Sequence, residues 1–220
     1  MISRKFVSTF SAPPEYIVVR AEVEAAELVL GMAESPVDAT DAGAVPELLQ
    51  QAKAGDRSAL EQIIIRHERQ VLMTAFRLLG RIEDAQDVSQ EVFLKLYRHL
   101  GRFHEGRELG PWLYRVTVNV CRDMAKRQRK ASFFALGDLA ATVDTEADLA
   151  ATERRRVVAD GLRTLPEKER AAVVLRDIEG LSTGEVARIL GSSETTVRSQ
   201  ISTARLKLKR FAERVMGRKS

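Results

Sequence analysis

The stretch "STGEVARILGSSETTVRSQISTARLKLKRF", Ser182 to Phe211, leaves this chain little freedom in what it folds into. "STGE" is a capping box: the Ser182 hydroxyl can accept from the backbone three residues on, and Glu185 can reach back. The short helix "TGEVARIL" then buries Val186, Ala187 and Leu190. Gly191 allows a sharp turn, and Ser192 or Ser193 starts the next helix. In that helix Val197, Ile201, Ala204, Leu208 and Phe211 recur at spacings of four, three, four and three, which makes one buried stripe. Thr195, Arg198, Ser199 and Ser202 lie off the stripe. A helix, a glycine turn and a second helix with a polar N-terminal face can seat the second helix in a DNA major groove.

The flanks extend this reading. Upstream, Pro166 suits a helix start, and Ala171, Ala172, Val174, Leu175 and Ile178 give that helix an apolar face before Gly180 at its C′ position. Downstream, Arg205, Lys207, Lys209, Arg210, Arg214, Arg218 and Lys219 face only Glu213, a balance that binds phosphate without reading bases. The bland reading of the same residues is a helical hairpin with a solvated basic face. Two caps, a tight turn and a basic recognition face together favour DNA.

Elsewhere helical periodicity is common and strand signals are scarce, so the expected fold class is all-α: two small helical domains joined by a flexible acidic linker. The expected boundaries are 1–45, a poorly ordered N-terminal extension containing Met32 as an alternative start; 46–130, a first helical domain; 131–154, the linker; 155–214, the helix-turn-helix domain; and 215–220, a basic tail. The linker carries Asp138, Asp144, Glu146, Asp148 and Glu153, and no basic residue between Ser132 and Glu153.

The chain holds 35 Lys and Arg against 31 Asp and Glu, yet "EDAQDVSQEVFLKLYRHL" concentrates Glu83, Asp84, Asp87 and Glu91 at one helix start. Val88, Val92, Phe93, Leu96 and Leu100 form its buried stripe, while Asp84, Asp87 and Glu91 share another face with Gln90 beside them. First-turn carboxylates complement the helix dipole by about 0.3–1 kcal/mol each, and Asp84 can serve as the N-cap. Glu91 lies two turns in and gains little there. An acidic face suits a basic groove on a protein partner.

An opposite surface follows in "PWLYRVTVNVCRDMAKRQRK". Trp112, Leu113, Val116, Val120 and Met124 recur at near-helical spacing, and Arg122, Lys126, Arg127, Arg129 and Lys130 face only Asp123. Asn119 is polar among apolar neighbours, and the preceding "GRFHEGRELGP" is a glycine-rich loop that can rim a pocket or turn the chain.

Other chemistries find little support. The single cysteine, Cys121, has no partner for an internal disulfide, which points to a reducing cytoplasm. His67, His99 and His104 are not spaced as metal ligands, and no cofactor or catalytic constellation is expected. No apolar run reaches the roughly 18 residues of a membrane span, so stable membrane insertion is not expected. A DNA-binding regulator with a signal-receiving domain would show alternating strands and helices, and none are read. A nuclease or hydrolase would need convergent nucleophiles or metal carboxylates.

Two stretches carry a family resemblance. "LLGRIEDAQDVSQEVFLKLYRHLGRF" with "PWLYRVTVNVCRDMAKRQRK" resembles the sigma-two domain of bacterial extracytoplasmic-function (ECF) sigma factors. "LPEKERAAVVLRDIEGLSTGEVARILGSSETTVRSQISTARLKL" resembles their sigma-four domain. Together they span roughly 55–130 and 155–212.

The resemblance implies a sigma factor that directs core RNA polymerase to promoters and helps open the −10 region. It implies that the acidic helix docks on the clamp helices of the largest polymerase subunit through Asp84, Asp87, Gln90, Glu91 and Phe93. It makes Asn119, Arg122, Asp123, Lys126 and Arg127 candidate −10 contacts, with the loop matching Phe103–Gly110 capturing a flipped base. Thr195, Thr196, Arg198, Ser199, Ser202 and Arg205 become candidate −35 contacts, and an anti-sigma factor the expected inhibitor. Gln200 and Thr203 stand where the family commonly has basic residues, which predicts a weaker or different −35 readout. "EGRELGPW" lacks the usual Ser/Thr-Phe approach to the tryptophan.

Overall fold

The computed structural model describes residues 45–103, 108–134 and 157–216. The first block begins with α1 (Val45–Lys53) and α2 (Arg57–Leu79). Asp56 caps α2 by accepting from the Ser58 and Ala59 amides at 2.8 and 3.3 Å. Gly80, at φ +80°, ends it in the left-handed conformation. The acidic helix α3 (Ile82–His99) follows at once, then a 3-10 turn at Leu100–Arg102, then α4 (Leu109–Phe134). Arg81 is the cap residue of α3, so Asp84 is not its N-cap but sits within the first turn.

The second block contains α5 (residues 157–163), α6 (Glu167–Val173), α7 (Thr183–Leu190) and α8 (Glu194–Met216). Between α6 and Gly180 the chain makes one π-helical turn, Val174–Ile178. That wider turn shifts the register. Val173, Val174 and Leu175 are buried, whereas Ile178, expected in the apolar face, is 39% exposed. In α7, Ile189 is buried beside Val186 and Ala187, and Leu190 is only partly covered.

α2 packs against α1, α3 and α4, and α6 packs against α8. Ile63, Val88, Val92, Leu96 and Leu113 are fully buried in the first block, and Val174, Leu175, Val186 and Val197 in the second. Each such side chain contributes about 1.5–3 kcal/mol relative to exposure. Phe103 is buried edge-on against Trp112, ring centroids 5.8 Å apart, so it belongs to the core and not to a pocket rim. Gly161 brings α5 close to α8: a Cβ there would stand 3.1 Å from Leu208 and 3.2 Å from Phe211.

The two blocks touch. α6 and the π turn lie on α2, and α7 lies on α4. Glu179, at the end of the π turn, accepts from the Thr74 hydroxyl at 2.9 Å, Arg77 at 2.6 Å and the Tyr114 hydroxyl at 3.0 Å. Arg170 and Arg163 donate to the Leu78 and Gly80 carbonyls, both at 2.6 Å, and so satisfy the C-terminal end of α2. The expected linker overlaps α4, which runs through Phe134, while residues 135–156 lie outside the described residues. So do residues 1–44, which hold nearly all of the N-terminal extension, and 217–220 in the tail.

Candidate docking face and nucleic-acid interfaces

α3 presents its acidic residues unevenly. Asp87 is exposed, and Gln90 and Glu91 are half-buried. Lys95, one turn on, donates to Glu91 at 2.9 Å, which offsets some of the repulsion between Asp87 and Glu91. Asp84 lies 3.9 Å from the Arg81 guanidinium. Phe93 is 2% exposed. Its ring is core beneath the acidic face, so it can hold the helix in place but cannot meet a partner directly.

α4 carries its polar residues on a broad arc. Asn119, Asp123, Lys126 and Arg127 are all exposed. Arg122, expected with them, sits at the edge of that arc and is engaged by the second block: its Nε donates to Glu167 at 3.0 Å. Arg129 donates to the other oxygen of Glu167, also at 3.0 Å. The apolar side of α4 includes Cys121, whose thiol burial pushes up to about 12. Burial also raises the Tyr114 hydroxyl, and the Glu179 carboxylate it donates to adds to the effect. Residues 104–107 of the expected base-capturing loop, His104 among them, lie outside the described residues, and Leu109 and Gly110 belong to α4.

The helix-turn-helix is built by its caps. The Glu185 amide donates to Ser182 Oγ at 3.2 Å, and the Ser182 amide to Glu185 Oε2 at 2.8 Å. Those bonds hold the Glu185 carboxyl below its ordinary range. Gly191 turns the chain at φ +63°. Ser193, not Ser192, caps α8: its Oγ accepts from the Thr196 amide at 3.1 Å. Val197, Ile201 and Ala204 face inward. Thr195, Thr196, Arg198, Ser199, Ser202 and Arg205 are therefore all exposed.

Two of these cations have acidic neighbours. Arg198 donates to Glu194 at 2.7 Å, and Arg205 grips Asp177 through two bonds of 2.8 and 2.6 Å. Both cations face solvent, where screening keeps ion pairs weak, so phosphate or a base edge can displace the carboxylate. Gln200 is half-buried, with its side-chain oxygen covered. The arrangement offers hydroxyl donors and acceptors at the start of α8 and guanidinium groups beside them, a set suited to base edges and phosphates.

Sequence reasoning missed the residues joining the blocks: Thr74, Arg77, Tyr114, Glu167 and Glu179. The hydrogen bonds they make between the blocks join residues 38 to 105 positions apart, and local periodicity carries no signal for such pairing.

Comparison with known proteins adds the family context. The sigma-70 region 2 family matches residues 63–131, and the sigma-70 region 4 family matches residues 155–208. The ECF RNA polymerase sigma factor SigM of Mycobacterium tuberculosis is 38% identical over 166 residues, which cover 75% of this chain and 83% of that protein. The ECF RNA polymerase sigma-E factor of Escherichia coli is 32% identical over 170 residues, covering 72% and 88%. Among solved structures, CnrH in complex with the cytosolic domain of CnrY superposes with a TM-score of 0.60 at 28% identity, covering 77% of this chain and 97% of that one. The sigma factor RpoE of Bartonella quintana, solved with the anti-sigma factor NepR, shares the fold with a TM-score of 0.62 at 21% identity, covering 70% and 96%. No strand occurs among the described residues, so a strand-and-helix receiver domain finds no support there.

Proposed function

This chain belongs to the extracytoplasmic-function sigma factor family, and from that membership we propose how its helices divide the work of promoter recognition. A sigma factor directs core RNA polymerase to promoters and leaves the chemistry to the polymerase, so the protein needs binding surfaces and no active site of its own. The acidic face of α3, with Asp87 outermost and Glu91, Gln90 and Asp84 beside it, docks on the clamp helices of the largest polymerase subunit. The exposed arc of α4 binds and helps open the −10 element. The capped helix α8 reads the −35 element through Thr195, Thr196, Arg198, Ser199, Ser202 and Arg205. The work is cytoplasmic, and no described helix is long and apolar enough to cross a membrane. An anti-sigma factor is the expected inhibitor, since the relatives CnrH and RpoE were solved with the cytosolic domain of CnrY and with the anti-sigma factor NepR.

The observation that carries this reading is the pairing of two separate, exposed polar faces, on α4 and α8, in one chain with an acidic docking helix. Opening duplex DNA costs a few kcal/mol per unstacked step, which the α4 arc offsets by holding one strand in its open form. The test uses Asn119→Ala with Arg127→Ala, two exposed residues untied to the second block. The variant should still bind core polymerase yet leave −10 thymines unreactive to permanganate on a duplex promoter, and a pre-melted −10 bubble should partly restore initiation. Wild-type thymine reactivity would remove α4 from promoter opening.

A further inference from the structure

Three arginines stand seven residues apart along α4: Arg115, Arg122 and Arg129. At about 100° per residue they form a stripe about 40–80° round the helix from Asn119, on the flank of the arc just described. The second block contacts that stripe along its length, and it does so with negative charge. Arg122 and Arg129 each donate to one oxygen of Glu167, at 3.0 Å. Arg115 donates at 2.7 Å to the Arg188 carbonyl, near the C-terminal end of α7, where the helix dipole is negative. A carboxylate held between two guanidinium groups occupies them as a phosphate would.

We propose that Arg115, Arg122 and Arg129 form a phosphate-binding track for the backbone of the opened −10 strand. While the two blocks are packed together, Glu167 occupies this track as an acidic stand-in. DNA binding at α4 and packing of the second block on α4 then exclude one another. This rests on the reading of α4 as the −10 helix and adds to it a surface and a competition.

The energetics favour exchange. The Arg129 side chain is 66% exposed and that of Glu167 38%, so the pair lies at the rim where a strand can enter. Rim ion pairs are weak, because solvent screens them. A nucleic-acid strand offers several phosphates, and each one neutralised releases counterions. A strand that displaces Glu167 therefore gains more than the carboxylate gave up.

The test uses the full chain, a fluorescein-labelled single-stranded oligonucleotide of mixed sequence, and a salt series. Glu167→Gln should bind the strand about two- to fivefold more tightly, because its competitor has lost its charge. Arg115→Gln with Arg129→Gln should bind more weakly, and the slope of log K against log salt should fall by about 0.7 per arginine removed. A fluorophore pair with one dye on each block should report their separation as the strand is added. Wild-type affinity in Glu167→Gln, an unchanged slope in the arginine variant, or strand binding without separation would each overturn the proposal. Asn119→Ala with Arg127→Ala distinguishes the two failures. If it weakens binding while the arginine variant does not, only the track fails. If neither variant weakens binding, the assignment of α4 fails with it.

Discussion

Arg122 shows how far a single residue can be read before its neighbours are known. Its place among cations on α4 was legible in the sequence, as was the polar position of Asn119. That Arg122 is held by Glu167, 45 residues on, was not, because nothing local encodes a contact made by a separate block. Phe93 shows a complementary limit. Helical spacing placed it in the buried stripe, the family pattern placed it at the docking face, and in the folded chain its ring is buried with the stripe. Cys121 was legible only as unpaired. Burial raises its thiol to about 12, whereas in the unfolded chain it titrates near about 8.5. The unfolded state therefore releases this proton first, and between those pH values Cys121 lowers stability as pH rises, by at most about 1.4 kcal/mol per pH unit. Denaturant unfolding of the wild type and Cys121→Ala from pH 8 to 10 should show the smaller alkaline loss in the variant. Equal losses would place the thiol in contact with water.

At the scale of elements, the helix-turn-helix was almost wholly legible, because each of its determinants is local. The Ser182–Glu185 box, Gly191 and the stripe through Val197 act within a few residues, and a cap of this kind contributes about 1 kcal/mol. The π turn at Val174–Ile178 was not legible. Its sequence fits an ordinary helix, and what distinguishes it is where it aims Glu179, whose amide reaches back to the Val174 carbonyl at 3.0 Å. Within α8, Arg198 is exposed one turn inside the helix and paired only with Glu194, one turn before it. If it reads a base, Arg198→Ala should weaken binding to cognate −35 duplex by about 1–3 kcal/mol more than to a scrambled duplex at the same salt concentration. Equal weakening on both would reassign it to phosphate, and no weakening would remove it from the interface.

For the whole molecule, the two-block architecture followed from the periodicity on either side of the acidic stretch, but the docking of the blocks did not. That docking converges on Glu179, whose side chain is 9% exposed and accepts from Thr74, Arg77 and Tyr114. Glu179→Ala would leave the buried Thr74 hydroxyl and the Arg77 guanidinium without that acceptor, at a cost of about 1–3 kcal/mol. Thermal unfolding should then split from one transition into two, and a single transition at the wild-type temperature would show that the blocks do not depend on this carboxylate. The central claim, that this chain directs core polymerase to promoters, is tested most directly by sequencing the 5′ ends of transcripts made in vitro from genomic DNA of its own host. Core polymerase with the protein should yield start sites preceded by one shared −35/−10 pair, and these should vanish with Asp87→Lys plus Glu91→Lys. A set of start sites no different from that of core polymerase alone would contradict the account.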